Sequence, residues 1–311
     1  MSTAAIAIVV PCCNAAATLA ATLDSALTQS VAADVIVVDD GSTDTSLAIA
    51  RNFEPAVRVV SGPNRGASHA RNTGIAHTSA DWIVFLDADD LLCPGTLALR
   101  LTTARASRAD VVICDWEDMT DDGQGHVAPG PRRSIDWRAF ARDPQLAIAA
   151  GAWATTAAII YNRAIVDRIG GFRPDLPVIQ DARFLFDAAR HGARFAASPH
   201  VGARYRIAPG SLSRRDPSRF WQDVLANGRQ IEALWRAAGE LDAHRQQAVS
   251  GIYDTAARGL FRAGDPGYFD AVDGQRRLGL PLPRHSTFAA PLARLLGLRT
   301  ARSVLALVSR A

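Results

Sequence analysis

Residues 81–94, DWIVFLDADDLLCP, place the tightest limit on what this chain can fold into. The apolar run Trp82 to Leu86 is too short for a helix and reads as a buried strand. It runs straight into Asp87, Ala88, Asp89 and Asp90, after which Pro94 opens a helix. Three carboxylates in four residues repel one another unless something positive sits among them. A divalent cation with oxygen ligands meets that need. In open α/β sheets, ligands bind in the crevice beyond the carboxyl ends of the strands, where such a turn would lie. Taken alone, a solvated acidic turn capping the next helix is the simpler reading, and the neighbouring segments decide between the two.

Those neighbours repeat the pattern. Ala4 to Val10 reads as a buried strand ended by Pro11, with Asn14 in the turn that follows. Ala16 to Thr28 carries Leu19, Leu23, Ala26 and Leu27 at helical spacing. Val35 to Val38 is a second strand, ending in Asp39-Asp40-Gly41-Ser42-Thr43-Asp44. Gly41 permits a tight turn there, and Ser42 or Thr43 is placed to cap a helix running to about Asn52. Val57 to Val60 is a third strand, followed by Gly62-Pro63-Asn64-Arg65-Gly66 and a helix with His69, Arg71 and Asn72. Four strand–helix alternations predict a parallel sheet built from βαβ units. Carboxylates at two strand ends can hold ribose hydroxyls, a base edge or a metal, while arginine holds phosphate. Together they suit a nucleoside diphosphate with its cation. Neither GxGxxG after the first strand nor GxxxxGK[ST] is present, which argues against hydride-transfer and P-loop enzymes.

Bulk properties exclude other classes. The 311 residues, 48% of them hydrophobic, suffice for one large domain with a smaller one appended. A net charge of +3, with no basic run in the first two-thirds, gives no footprint for nucleic acid. Cys12, Cys13, Cys93 and Cys114 form no CxxC pair, so neither zinc nor a disulfide framework is expected, and a reducing cytoplasmic compartment is. No signal-peptide pattern opens the chain, and no apolar stretch approaches the roughly 20 residues that span a bilayer.

The segments VVPCCNAAATLAATLDSALTQS, VIVVDDGSTDTS, NRGASHARNTGI and WIVFLDADDLL resemble the family 2 glycosyltransferases with the GT-A fold, in that family's order and spacing. The resemblance covers the first 95 residues or so, and four motifs in register are far more specific than one. It implies a nucleotide-sugar donor held around Pro11, Cys13 and Asn14. It also implies that Asp40 contacts the base with Asp39 beside it, that Asn64 and Arg71 lie near the nucleotide, and that Asp87-Ala88-Asp89 holds the nucleotide sugar with Mg²⁺ or Mn²⁺. Asp89 matches the direct metal ligand. Where many members stack an aromatic residue on the base, this chain has Cys13, which offers little stacking surface.

Further on, Asp110 to Cys114 reads as a strand, Glu117 to Gly130 as a hairpin or surface loop, Gly151 to Tyr161 as another strand, and Arg163 to Ile169 as a short helix stopped by Gly170-Gly171-Phe172. In the family a GGF segment precedes an acidic pair opening a helix; here that place holds Gln180-Asp181, so Asp181 matches the general base although Gln180 replaces the first acid. Read without the resemblance, Asp181 is an ordinary helix N-terminal acid. Arg194 to Ala197 and Val201 to Ile207 read as two strands. Arg206, Arg214 and Arg215 are phosphate-contact candidates, with Ala208 near the point where some relatives place a histidine metal ligand.

From Pro217 the pattern is helical, over Phe220–Ala238, Leu241–Arg262, Pro266–Leu278 and Phe288–Ala311. In the last segment Leu292, Leu295, Leu296, Val304, Leu305, Leu307 and Val308 interleave with Arg294, Arg299, Arg302 and Arg310. This basic amphipathic pattern suits an anionic membrane surface or packing on its own domain. The expectation is a GT-A glycosyltransferase domain over 1–215, with a mixed, mainly parallel sheet, and a helical C-terminal extension over 216–311. By the resemblance, it is a metal-dependent inverting enzyme moving a sugar from a UDP-sugar to a glycan or lipid-linked acceptor at the inner face of the plasma membrane. Asp181 would be its base. The rivals are a catalytically silent scaffold of the same fold and a sugar-phosphate nucleotidyltransferase, whose glycine-rich signature PCCNAAATL lacks.

Overall fold

The structure is a computed structural model that describes residues 5–121, 127–208, 211–282 and 284–308. The first stretch alternates β1 (Ile6–Cys12), α1 (Leu19–Leu27), β2 (Ala33–Asp40), α2 (Ser46–Asn52), β3 (Val57–Gly62), α3 (Ala67–Ala76) and β4 (Trp82–Phe85). The short β5 (Leu91–Leu92) and α4 (Thr96–Ser107) follow, then β6 (Val111–Asp121), β7 (Val127–Arg133), α5 (Trp137–Phe140), α6 (Pro144–Ala149), a 3₁₀ turn over Thr156–Ala158 and β8 (Ile159–Asn162). Next come α7 (Arg163–Ile169), α8 (Gln180–Arg190) and the long β9 (Phe195–Ile207). Helices complete the described chain: α9 (Leu212–Arg215), α10 (Pro217–Ala237), α11 (Ala243–Ala263), α12 (Gly267–Arg277), α13 (Arg284–Leu296) and α14 (Leu298–Val308).

Among the described residues nine strands form one sheet, in the order β3-β2-β1-β4-β8-β6-β9-β5 with β7 on β6. β1 to β4 are parallel, as four buried apolar runs joined by helices require. Their side chains are buried along nearly the whole length of β1 and the inner part of β2. β8 then enters between β4 and β6, antiparallel to both, and β6 pairs parallel with β9. The sheet is therefore mixed and mainly parallel, with helices against it.

Several sequence expectations change in detail. β1 does not stop at Pro11 but runs on to Cys12. The last β1–β4 pair is Val9↔Phe85, so Pro11 lies past the point where a missing N–H would cost a ladder bond on that side. Ser42 and Thr43 do not cap α2, whose N-cap is Thr45; they bind the first loop instead. The strand expected over Gly151–Tyr161 shrinks to Ile159–Asn162, because a 3₁₀ turn occupies Thr156–Ala158. The two strands expected over 194–207 are one, β9, whose register against β6 shifts near Cys114, Asp115 and Trp116. The bulge absorbs the interruption that Pro199 and Gly202 suggest. The segment from Phe288 onward is two helices broken at Gly297, φ +78°. The side chains of Arg302, Leu307, Val308 and Arg310 lie outside the described residues, as do residues 122–126 of the expected hairpin.

The chain divides into two compact units, Met1–Pro144 with Trp153–Pro209, and Gln145–Ala152 with Gly210–Ala311. In the first, an aromatic cluster sits below the carboxyl end of β4. Phe172 stacks on Phe184 at 4.1 Å, and Phe85 meets Phe172 edge-on at 4.7 Å. In the second, Trp235 is fully buried and donates from Nε1 to Gln145 Oε1 at 2.9 Å.

Candidate active site

The parallel order of β1, β2 and β4 brings their carboxyl ends to one edge, and the candidate residues of the first unit gather there. In the β1–α1 loop, Asn14 (φ +53°) accepts at Oδ1 from Thr43 N (2.7 Å) and Thr43 Oγ1 (3.2 Å), while its own N–H donates to Ser42 Oγ at 3.0 Å. Asp44 Oδ2 accepts from Ala16 N at 3.1 Å and Oδ1 from Ser46 N at 2.9 Å. The DDGSTD turn thus locks the first loop in place. Cys13 is exposed, and Asn64 Nδ2 donates to its Sγ at 3.2 Å.

The two acids at the end of β2 have separate duties. Asp40 accepts from Arg65 N (2.8 Å) and Gly66 N (2.7 Å), one bond to each oxygen, so it fixes the loop leading into α3. Asp39 is buried; its Oδ2 accepts from Ser61 Oγ at 3.2 Å, but Oδ1 has no partner among the described residues. Both acids line a cavity of about 210 Å³ with Ser61, Gly62, Arg65 and His69. A buried carboxylate oxygen without a donor carries a desolvation cost, which a ligand N–H or hydroxyl would relieve.

At the end of β4, Asp87 pairs with Arg71 of α3, a guanidinium almost entirely buried. Arg71 also lies over the Phe172 ring at 5.2 Å. In the amide orientation that satisfies both groups, Gln180 accepts from Arg71 Nη1 at 2.6 Å and donates to Pro177 O at 2.8 Å. Gln180, in the place of the first acid of the family's pair, is thus a neutral partner for the arginine that Asp87 already holds. Ala88 O accepts from Thr18 Oγ1 (2.8 Å) and Thr22 Oγ1 (3.0 Å), which pins the turn to α1. Burial, and then the charge of Asp87, push the Asp89 carboxyl up to about 6. Asp90 is fully buried; Oδ1 accepts from Arg206 N (2.8 Å) and Oδ2 from Thr155 Oγ1 (3.0 Å). Its role is to tie the acidic turn to β9, and Arg206 Nε, donating to Asp89 O at 2.8 Å, does the same. Arg206 is thus anchored to the turn itself.

Asp181 opens α8, and the GGF turn positions that helix. Asn72 clamps the turn at both ends: its Nδ2 donates to Phe172 O (2.9 Å) and its Oδ1 accepts from Phe172 N (2.7 Å). Gly171 has φ +107°, and a Cβ there would lie 2.7 Å from Asn72 Oδ1, so only glycine lets the turn close on α3. Asp181 Oδ1 accepts from Ala182 N (2.8 Å), and Oδ2 from Trp153 Nε1 (3.2 Å). Burial raises its pKa, while Arg71 and these two hydrogen bonds pull it down and Asp87 pushes it up. A buried carboxylate with a raised pKa and both oxygens oriented has the properties of a general base.

Trp153 meets Trp116 edge-on at 5.8 Å and Tyr205 at 5.5 Å. Burial first, and then the charges of Asp90, Asp181, Asp87 and Asp89, push the Tyr205 hydroxyl up. Sequence reasoning missed Trp153, Trp116 and Tyr205. No sequence signal marks them, since the three stand about 40–50 residues apart and meet only in the fold. Arg214 lies in the second unit, exposed in α9. Among the described residues no group of three His, Cys, Asp or Glu side chains is arranged to hold a metal. The donor set at Asp87 and Asp89 fits Mg²⁺ or Mn²⁺ all the same. Mg²⁺ in particular commonly takes one or two carboxylates and completes its shell with substrate phosphate and water.

A mainly parallel sheet with paired acids at two strand ends, an arginine between them and an acid opening a later helix is the GT-A fold. The family model described as Glycosyl transferase family 2 matches residues 7–160, and over that stretch the chain belongs to this family. Among curated relatives, the succinoglycan biosynthesis protein ExoU of Rhizobium meliloti is 42% identical over 254 residues, 80% of this chain and 65% of its own length. ExoO of the same organism is 30% identical over 220 residues, 66% and 62% respectively. The chain thus spans less than two thirds of each. Among solved structures, S. aureus TarS 1-349 in complex with UDP-GlcNAc superposes with a TM-score of 0.70 at 18% identity, covering 96% of this chain and 90% of that one. The mannosyltransferase PcManGT of Pyrobaculum calidifontis, in complex with GDP-Man and Mn²⁺, gives 0.53 at 20% identity, covering 100% and 89%. At these identities the likeness is one of fold. No helix among the described residues is long and apolar enough to cross a membrane.

Proposed function

We propose that the protein is an inverting glycosyltransferase that moves a sugar from a nucleoside-diphosphate sugar, with UDP as the carrier, to a hydroxyl of a glycan or lipid-linked acceptor in polysaccharide synthesis. The observation that carries this reading is Asp181, a single oriented carboxylate raised by burial and subject to the charges of Arg71 and Asp87. A base taking the acceptor proton on one face of the sugar, with the leaving group held on the other, gives in-line displacement and inversion. No carboxylate nucleophile is needed. Asp39 Oδ1 and the adjoining cavity suit a base edge, and Asp87 and Asp89 would hold Mg²⁺ or Mn²⁺. When bound, the cation neutralises charge gathering on the departing diphosphate. The names of ExoU and ExoO, both succinoglycan biosynthesis proteins, support polysaccharide synthesis as the setting.

In this reading the catalytic domain covers about residues 1–215 and the helical extension 216–311. The protein works in the cytoplasm at the inner membrane face. The exposed Phe288 (68%) and Leu295 (80%) on α13, near Arg294 and Arg299, support peripheral contact there. The test is calorimetric titration of UDP, GDP and dTDP, with and without Mn²⁺, into the wild type and Asp89→Ala. Metal-dependent binding of one nucleotide, lost in the variant, is the expected outcome. Absence of binding to all three would overturn the donor assignment.

A further inference from the structure

The second unit contains an open, arginine-rimmed cavity lined by none of the carboxylates of the sheet. It measures about 320 Å³, the lower end of the roughly 300–1,000 Å³ of small-molecule sites, and lies among α10, α11 and α12. Tyr253 of α11, fully buried, lines it together with Glu232. Two helical glycines let the helices close around this ring. A Cβ at Gly228 would lie 2.8 Å from Ile252 Cγ2 and 3.2 Å from Tyr253 Cε1, and one at Gly274 would lie 2.8 Å from Tyr253 Cε2. Glycine inside a helix costs about 1 kcal/mol relative to alanine, so both positions exchange helix propensity for this close approach.

The charges in the cavity do not cancel. Glu232 is already satisfied: Oε1 accepts from Arg236 Nη2 at 2.6 Å and Oε2 from the Tyr253 hydroxyl at 2.5 Å. Among the described residues Arg229 pairs with the exposed Asp270 at 3.2 Å, a surface pair of the kind that contributes little and yields readily to a better partner. Arg277 forms no ion pair among the described residues. Arg277 and Arg229 line the cavity, and their charges lower the Tyr253 hydroxyl against the rise that burial imposes. Among the lining residues, three guanidinium groups and one carboxylate leave two positive charges, with the exposed Asp270 outside the lining competing for one of them. A carboxylate ligand would cancel only one of them. A phosphoryl group, carrying about −1.5 to −2 at neutral pH, cancels both, and its tetrahedral oxygens accept from arginine forks.

We propose that this cavity in the helical unit is a phosphoryl-binding site, separate from the donor site, with Arg277 and Arg229 as its principal ligands. The site goes beyond the glycosyl-transfer reading and does not depend on it. Its phosphoryl group comes either from free phosphate or diphosphate or from a lipid headgroup, and the test separates these sources.

The full chain, in EDTA to keep divalent cations from the acidic turn, is titrated with inorganic phosphate and with pyrophosphate by calorimetry. Sedimentation with phosphatidylcholine vesicles containing phosphatidic acid follows. The variants are Arg277→Gln and Ala233→Glu; both residues are exposed, so neither change disturbs the packed helices. The expected result is one site per chain, weakened about tenfold or more in both variants because a charge-assisted bidentate contact is lost or opposed. Nucleotide titration of the same variants stays at the wild-type value and reports on the donor site independently. Pyrophosphate binding without vesicle recruitment assigns a free phosphate or diphosphate. Recruitment that both variants abolish assigns a headgroup. Absence of binding in both assays, or binding and recruitment unchanged in both variants, overturns the proposal.

Discussion

Trp153→Phe isolates one hydrogen bond in the candidate site. The substitution keeps a ring between Trp116 and Tyr205 but removes the N–H that donates to Asp181 Oδ2 at 3.2 Å. A hydrogen bond to a charged group is worth about 1.5–3 kcal/mol, and 3.2 Å is the long end of the N–H···O range, so the lower figure applies. At about 1.4 kcal/mol per pKa unit, that corresponds to roughly one unit. The direction follows from which form the bond favours. Trp153 stabilises the carboxylate and so lowers a pKa that burial raises; without it the pKa climbs further. A base must be ionised to act, so the acid limb of kcat/KM moves about one unit toward alkaline pH, while the high-pH plateau changes much less. The assay is nucleoside diphosphate release from the donor between about pH 5 and 9, with water standing in for the acceptor. An acid limb at the same pH in both proteins, with the variant folded by circular dichroism, would refute the assignment of Asp181 as the titrating base.

Other expectations follow from the same geometry. Asp40→Asn loses one of two bonds to the Arg65–Gly66 backbone and should cost about 2 kcal/mol, read as a lower urea midpoint. Asp39→Asn should leave stability unchanged within about 0.5 kcal/mol or raise it, since Oδ1 has no donor to lose, yet weaken nucleotide binding. Because the Asp89 carboxyl is raised to about 6 and a cation needs it ionised, Mn²⁺-dependent nucleotide binding should weaken as pH falls through that value. Calorimetry at a series of pH values checks this. Gly171→Ala, forced to φ +107° against Asn72, should lose about 1–3 kcal/mol and lower Tm.

What the sequence made legible has a physical pattern. Buried parallel strands are continuous apolar runs, and helices between them carry 3.6-residue periodicity, so β1 to β4 and their loop acids could be read directly. β8 could not. Its residues Ile159 to Tyr161 fall in the strand the sequence predicts, but that they pair antiparallel between β4 and β6 depends on partners more than 45 residues away. β9 looked like two strands because a bulge leaves the same local trace as a turn. In the site, Asp87, Asp89, Arg71 and Asp181 stood in motifs, whereas Trp153 meets Asp181 across 28 residues with no local signature. The different duties of Asp39 and Asp40 were equally hidden, since adjacent residues of one strand point to opposite faces and only the fold says what each face meets.

Arg71 is a shared resource. It neutralises Asp87 and, through Gln180 and its own field, acts on the head of α8. Asp87 and Arg71 push the Asp181 carboxyl in opposite directions, so the occupancy of one end of the site is felt at the other. Positive charge arriving at Asp87 relieves the repulsion it exerts and leaves more of Arg71's field for Asp181, which then gives up its proton more easily. The acidic turn and the head of α8 are in this sense electrostatically geared: a change of charge at Asp87 is transmitted to Asp181.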